Sequence, residues 1–95
     1  MTAQELRDLP FEPSHLPPLL VALWCDSGGH WDRAHHIVQD DESRDAAWVH
    51  AYLHRKEGDE GNARHWYTRA SQPFCDASLE DEWAQIAERL LEKLN

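Results

Sequence analysis

The sequence of 95 residues predicts a single all-α domain, and three observations support this fold class. Apolar residues recur at three- and four-residue spacing in several segments, which is typical of amphipathic helices. No alternating run of β-branched residues reaches the length of a strand. The hydrophobic fraction of 41% and the charged fraction of 28% are ordinary for a globular protein, so disorder throughout the chain is not expected. We therefore expect one helical core over residues 1–95.

The amino-terminal arm comprises residues 1–15. Thr2 and Glu5 have the spacing of a capping box, which predicts a short helix over about residues 3–8. Several prolines follow this helix, and they are expected to hold the chain in an extended conformation before the first long helix.

Residues 16–39 are predicted to form a first helical hairpin. Ser14 can cap its first helix, which carries two prolines in the first turn, where a missing amide hydrogen costs little. This helix ends at the pair Gly28-Gly29, and a second helix is predicted over about residues 31–39.

Residues 43–71 are predicted to form a second hairpin with clearer signals. Ser43 is a suitable cap for its first helix, and Gly58 can adopt the left-handed conformation that ends this helix. Asp59 can then cap the helix that follows. A final helix over residues 78–94 has a serine cap and an acidic first turn, and it is expected to cover one end of the hairpins.

The two hairpins align with each other at a constant offset of 29 residues. Small residues in equivalent positions of two antiparallel helices let the helices approach closely, so Ala22 is expected to face Ala34 and Ala51 to face Ala63. The aligned pairs are Ala22 with Ala51, Gly29 with Gly58, Ala34 with Ala63, and His36 with His65.

This repeat resembles the tetratricopeptide-repeat family and, more loosely, its Sel1-like relatives. The second unit keeps the small residues of the family and an aromatic residue at Ala51, Gly58, Ala63, Ala70 and Tyr67. It departs from the family pattern at Ala47, His50 and His54, where Trp, Leu and Tyr are typical. Residues 48–70 also resemble a block found in bacterial proteins of unassigned role. The resemblance implies a right-handed helical-hairpin repeat of two antiparallel hairpins with a carboxy-terminal capping helix, which would bind a protein or peptide without catalysis and without a cofactor.

A stripe of aromatic and cationic side chains is the candidate binding surface. In stacked hairpins the first helix of each unit lines the concave side, where an extended peptide can bind and a cation can meet its carboxylate. The alternative is that the final helix covers this stripe, because two hairpins alone bury little surface. The candidate residues are Trp48, Tyr52, Arg55 and Lys56.

A metal-binding or hydrolytic protein is the alternative function. His50, His54 and Glu57 lie at positions i, i+4 and i+7, a spacing that places them on one helical face and is compatible with metal ligation. Cys25 and His36 could approach them if the hairpins stack. The sequence has neither HExxH nor CxxC, and these histidines could equally be half-buried residues that form ordinary hydrogen bonds.

The charge of −9 disfavours nucleic acid and anionic membranes as partners, because both need a cationic surface. The amino terminus does not have the pattern of a signal peptide, and the longest apolar run, about ten residues, is too short to span a membrane. The two cysteines make no disulfide framework. We expect a cytoplasmic protein with a protein or peptide partner. Five tryptophans also predict an exposed aromatic patch that would allow a homodimer.

Overall fold

The computed structural model describes residues 1–94, and this part of the chain contains six α-helices and no strand, which confirms the all-α class. The longest described helix has 14 residues, and none combines the length and apolar character of a membrane span. The helices are α1 (Ala3–Asp8), α2 (Pro18–Ser27), α3 (Trp31–Val38), α4 (Arg44–Lys56), α5 (Glu60–Ala70) and α6 (Leu79–Glu92).

Side-chain caps fix the starts of four helices. At α1 the backbone N–H of Glu5 donates to Thr2 Oγ1 at 3.1 Å, and the N–H of Thr2 donates to Glu5 Oε1 at 2.9 Å. Ser43, Asp59 and Ser78 cap α4, α5 and α6 in turn, each accepting a hydrogen bond from the backbone N–H three residues ahead. These four predicted caps are confirmed.

The predicted cap of α2 is wrong. Pro17 occupies the N-cap position instead of Ser14, and it provides no side-chain hydrogen bond. The backbone N–H of Ser14 donates to Glu12 O in a turn that precedes the helix. The helix can begin without a cap because Pro18 has no amide hydrogen to satisfy and already has a helical φ.

The turn between α2 and α3 has the same geometry as the turn between α4 and α5. The two helices of each pair pack against each other. Gly29 and Gly58 have φ values of 86° and 88°, in the left-handed region that glycine adopts readily. The 29-residue repeat therefore extends to the backbone hydrogen bonds that end α2 and α4. These are His30 N to Cys25 O and Asp59 N to His54 O, each 2.9 Å long.

Both helices of each pair carry a fully buried alanine. Ala51 of α4 and Ala63 of α5 belong to one apolar cluster together with Tyr67, which confirms that these two helices meet through small residues. Ala22 of α2 and Ala34 of α3 are also fully buried, and both belong to the main core.

Helix α6 contacts α1, α2 and α4. Its buried apolar residues lie in the main core with residues of the other helices, and they are Trp83, Ile86, Ala87, Leu90 and Leu91. This position places α6 against α4, the helix that carries the predicted binding stripe.

The five tryptophans do not form the exposed aromatic patch that their number suggested. Trp83 is buried and the other four, Trp24, Trp31, Trp48 and Trp66, are partly buried. Among large apolar side chains, Phe11 is the most exposed at 81%. The tryptophan patch was a wrong expectation, and the homodimer stays a prediction.

Candidate functional site

Two residues of the predicted stripe contact α6 and the loop before it. The half-buried Trp48 donates its indole N–H to Glu82 Oε2 at 3.2 Å. Arg55 Nη1 donates to Glu82 Oε1 at 2.9 Å, and Nη2 donates to the carbonyl of Ala77. Helix α6 therefore covers the side of the stripe that contains Trp48 and Arg55. From the sequence, coverage by the final helix was the alternative to an open binding surface.

Glu82 is the buried acceptor to which these donors converge. It is fully buried, and its carboxylate also accepts hydrogen bonds from the Tyr67 hydroxyl at 2.7 and 2.6 Å. Burial, together with the bond to Glu82, raises the pKa of Tyr67 above its ordinary value, so this hydroxyl stays a donor. A carboxylate in the interior needs this pairing, because an unpaired buried charge is strongly unfavourable.

The other two residues of the stripe line an open cavity of about 310 Å³. Asp26, only 2% exposed, accepts hydrogen bonds from the Tyr52 hydroxyl at 2.9 Å and from Lys56 Nζ at 3.0 Å. Trp83 forms another part of the cavity wall, and its indole N–H donates to Leu23 O at 3.0 Å. The four residues of the predicted stripe therefore donate to two different carboxylates. Trp48 and Arg55 donate to Glu82, whereas Tyr52 and Lys56 donate to Asp26.

Arg7 of α1 provides a second cation in this cavity. Its Cζ atom lies 4.4 Å from the centroid of the Trp83 ring. Its Nε atom is buried, and no described residue accepts a hydrogen bond from it. A buried donor left without an acceptor costs about 1–3 kcal/mol, so an oxygen supplied by a ligand would be favourable here. Arg7 could not be identified from the sequence, because nothing local relates the first helix to the cavity.

A cluster of histidines lies between α3 and α4. His50 and His54 occupy successive turns of α4, with their ring centroids 4.8 Å apart. His35 of α3 joins them, and its Nε2 atom lies 3.0 Å from Nε2 of His50. One ligand nitrogen from each of the three rings lies within 4.8 Å of the other two.

The histidine cluster contains His35, which the sequence did not indicate, and it lacks His36 and Cys25, which were expected to approach it. His35 faces the pair on α4, whereas the exposed His36 turns away and contacts the Gln39 side chain at 3.2 Å. Cys25 also lies elsewhere, with its Sγ atom 3.9 Å from Glu12 Oε1. The expectation that Cys25 and His36 join the cluster was therefore wrong.

Glu57, the last member of the predicted set, contacts His54. Its Oε1 atom lies 2.6 Å from His54 Nδ1. A carboxylate can only accept a hydrogen bond, so Nδ1 carries the proton. The Nε2 atom of a neutral His54 then has a free lone pair.

Two tryptophans fix the orientation of the clustered rings. Trp66 of α5 stacks on His50 with a centroid distance of 3.9 Å and an interplanar angle of 14°. Trp31 stacks on His35 at 5.0 Å and 8°, and its own indole N–H donates to Leu53 O at 2.8 Å. The rings are therefore held in place before any ligand arrives.

Two imidazoles of the cluster, those of His35 and His50, are held in the neutral form. Burial, together with the neighbouring His35, His54 and His65, lowers the pKa of His50 to about 4. Burial also lowers the pKa of His35. A neutral imidazole is the form that binds a metal ion.

Acidification is expected to destabilise the protein through His50. Between pH 6.5 and about 4 the unfolded chain binds a proton at this residue that the folded chain does not bind, so the free energy of unfolding falls as the pH falls. The groups that face His50 are His35, His54 and His65, and none of them supplies a countercharge. At ~1.4 kcal/mol per pH unit, we expect a loss of about 2 kcal/mol between pH 6.5 and 4.5.

Urea denaturation at several pH values measures this loss. The variant His50→Gln is expected to show a smaller slope of stability against pH in the same window, while the exposed-site variant His36→Gln keeps the full slope. Equal slopes in His50→Gln and the unmodified protein would contradict the prediction.

The described side chains offer two kinds of chemistry. The cavity beside Arg7 and Lys56 presents cationic donors suited to a carboxylate. The histidine cluster presents neutral nitrogens suited to a metal ion. Comparisons of the chain with protein-family models, with curated proteins and with solved structures find no match.

Proposed function

We propose that this protein is a non-catalytic helical-repeat module that binds a carboxylate-bearing segment of a partner protein or peptide. The binding site is the cavity beside Arg7 and Lys56. One observation carries the proposal: the side chain of Arg7 lines an open cavity, and its buried Nε atom has no acceptor among the described residues. A carboxylate that enters the cavity supplies this acceptor.

The charges around the cavity support a carboxylate as the ligand. Asp26 is already paired with Lys56, and of the two other charged residues that line the cavity, Arg7 and Glu80, Arg7 is the cation that a ligand carboxylate can match. An arginine can hold a carboxylate through two parallel hydrogen bonds, and the ring of Trp83 keeps the guanidinium in place. The net charge of −9 opposes the approach of an acidic ligand, so the affinity has to come from these short contacts.

The proposed architecture is a tetratricopeptide-like pair of antiparallel, right-handed hairpins with α6 as the capping helix. The matching turns at Gly29 and Gly58 and the buried alanines of the paired helices support it. Because α6 contacts α4, a partner segment would reach only the rim of the usual concave surface. Tyr52 and Lys56 line the cavity at this rim.

An NMR titration with an amino-acetylated tetraglutamate peptide tests the proposal. Saturable shifts are expected at the Arg7 Nε–H resonance and at the Trp83 indole N–H. The variant Arg7→Gln is expected to weaken binding at least fivefold, because it removes the charged donor.

Arg69→Gln is the matched control, since Arg69 also lies over a tryptophan, 5.3 Å from the ring of Trp66, but outside this cavity. It should bind the peptide as the unmodified protein does. An unshifted Arg7 resonance, or equal affinities for the two variants, would show that the cavity is not the binding site.

A further inference from the structure

We propose that His35, His50 and His54 bind a divalent transition-metal ion, with zinc as the representative ion, between α3 and α4. The three candidate nitrogens lie within 4.8 Å of one another. A tetrahedral ion with metal–nitrogen bonds of 2.0–2.1 Å places its ligands about 3.3 Å apart. Small side-chain rotations are therefore enough to bring all three nitrogens to the ion. This proposal does not depend on the carboxylate cavity, which uses other residues.

Two of the ligand atoms already point at each other. The Nε2 atoms of His35 and His50 lie 3.0 Å apart, close to the separation that a shared ion requires. In a hydrogen bond between them, one Nε2 carries a proton. When the ion binds, that proton moves to Nδ1 of the same ring, so both Nε2 lone pairs become available and no proton is lost.

Glu57 acts here as a positioning residue instead of the ligand that the sequence suggested. Its carboxylate accepts a hydrogen bond from Nδ1 of His54 at 2.6 Å, which leaves the lone pair of Nε2 available to an ion. Carboxylate–histidine–metal arrangements of this kind set the tautomer and the ring orientation of the ligand, and they raise its basicity.

The surroundings of the cluster favour a transition metal over calcium or magnesium. Neutral imidazole suits zinc, copper, nickel and cobalt, whereas calcium and magnesium prefer oxygen ligands. The stacked rings of Trp31 and Trp66 hold His35 and His50 in fixed planes, so little conformational freedom remains to be lost on binding. Three protein ligands leave a fourth position on the ion for water.

Zinc binding to the full chain, prepared without a polyhistidine tag, tests the proposal. The protein is stripped with a chelator and dialysed against Zn²⁺, and bound zinc is measured by atomic emission. We expect one zinc per chain. A Co²⁺ titration adds a spectroscopic readout, because tetrahedral cobalt absorbs strongly in the visible range.

The variants separate a metal site from a structural cluster. His35→Gln and His50→Gln are expected to weaken zinc binding at least a hundredfold, and Glu57→Gln about tenfold with the stoichiometry kept. Zinc should raise the melting temperature of the unmodified protein but not that of His35→Gln. The melting transition of His35→Gln itself shows that this variant is folded. His36→Gln is the matched control and should bind zinc normally.

Three outcomes would overturn the proposal: no stoichiometric zinc in the unmodified protein, unchanged zinc affinity in a folded His35→Gln, or the same loss in His36→Gln as in His35→Gln. None of these outcomes bears on the peptide titration, so the two proposals can fail separately.

Discussion

Replacing Glu82 with alanine is expected to lower the free energy of unfolding by about 3–5 kcal/mol. The substitution leaves the Arg55 cation, which is hydrogen-bonded to Glu82 at 2.9 Å, without its countercharge at the contact between α4 and α6. It also removes the acceptor of the buried Tyr67 hydroxyl. Urea denaturation followed by far-ultraviolet circular dichroism measures the loss.

Glu80→Ala is the matched control for this prediction. Both glutamates lie in the first turn of α6, so both variants lose the favourable interaction with the helix dipole, but Glu80 is exposed. We expect the control to cost about 0.5 kcal/mol or less. Glu82→Gln keeps the shape and loses the charge, and should fall between the two. A Glu82→Ala loss equal to that of Glu80→Ala would mean that this network does not hold α6 in place.

Replacing Trp83 with alanine is expected to cost about 3–5 kcal/mol of stability, because it leaves a large cavity in the main core. Trp83 is 2% exposed and belongs to the cluster that joins α6 to α2 and α4. The indole N–H also donates to Leu23 O, which would lose this partner. Thermal and urea denaturation both report the change, and Trp83→Phe should recover most of the lost packing.

Trp24→Ala provides the comparison for Trp83. Trp24 also donates its indole N–H to a backbone carbonyl, that of Leu9 at 2.9 Å, but it is only partly buried. Since less apolar surface is lost there, we expect a cost of about 1–2 kcal/mol. Similar losses at the two positions would indicate that α6 contributes no more to the core than the amino-terminal arm does.

The helices and their limits could be predicted because their signals are local. A cap such as Ser43 bonds to a backbone N–H three residues away, and a stop such as Gly58 depends on its own φ. The pair Ala51 and Ala63 was also predictable, since two helices joined by a short turn are neighbours. The cap at Ser14 failed because a proline start removed the need for one.

The role of Glu82 as the buried acceptor between α4, α5 and α6 could not be predicted from local signals. In the sequence it is one of three acidic residues in the first turn of a helix. A signal did exist, because Glu82 precedes Ile86 by four residues and Leu90 by eight, which places it on the apolar face. Its partners lie 15, 27 and 34 positions away, on α4 and α5, so only the packing of these helices identifies them.

The histidine cluster shows where sequence information ends. His50 and His54 could be paired because residues four apart share one helical face. The expectation of His36 instead of His35 was wrong, because adjacent helical residues point about 100° apart and only the packing of α3 on α4 decides which of them faces α4.

The sequence by itself determined the six helices, their turns and the repeat, because each depends on interactions between residues close in the chain. Only the tertiary structure decided that α6 covers Trp48 and Arg55, that Arg7 reaches the cavity of Lys56, and that His35 completes the cluster. The reason is physical. Burial, ion pairing and ligand geometry depend on distances between segments remote in the chain, and the packing of the helices sets those distances.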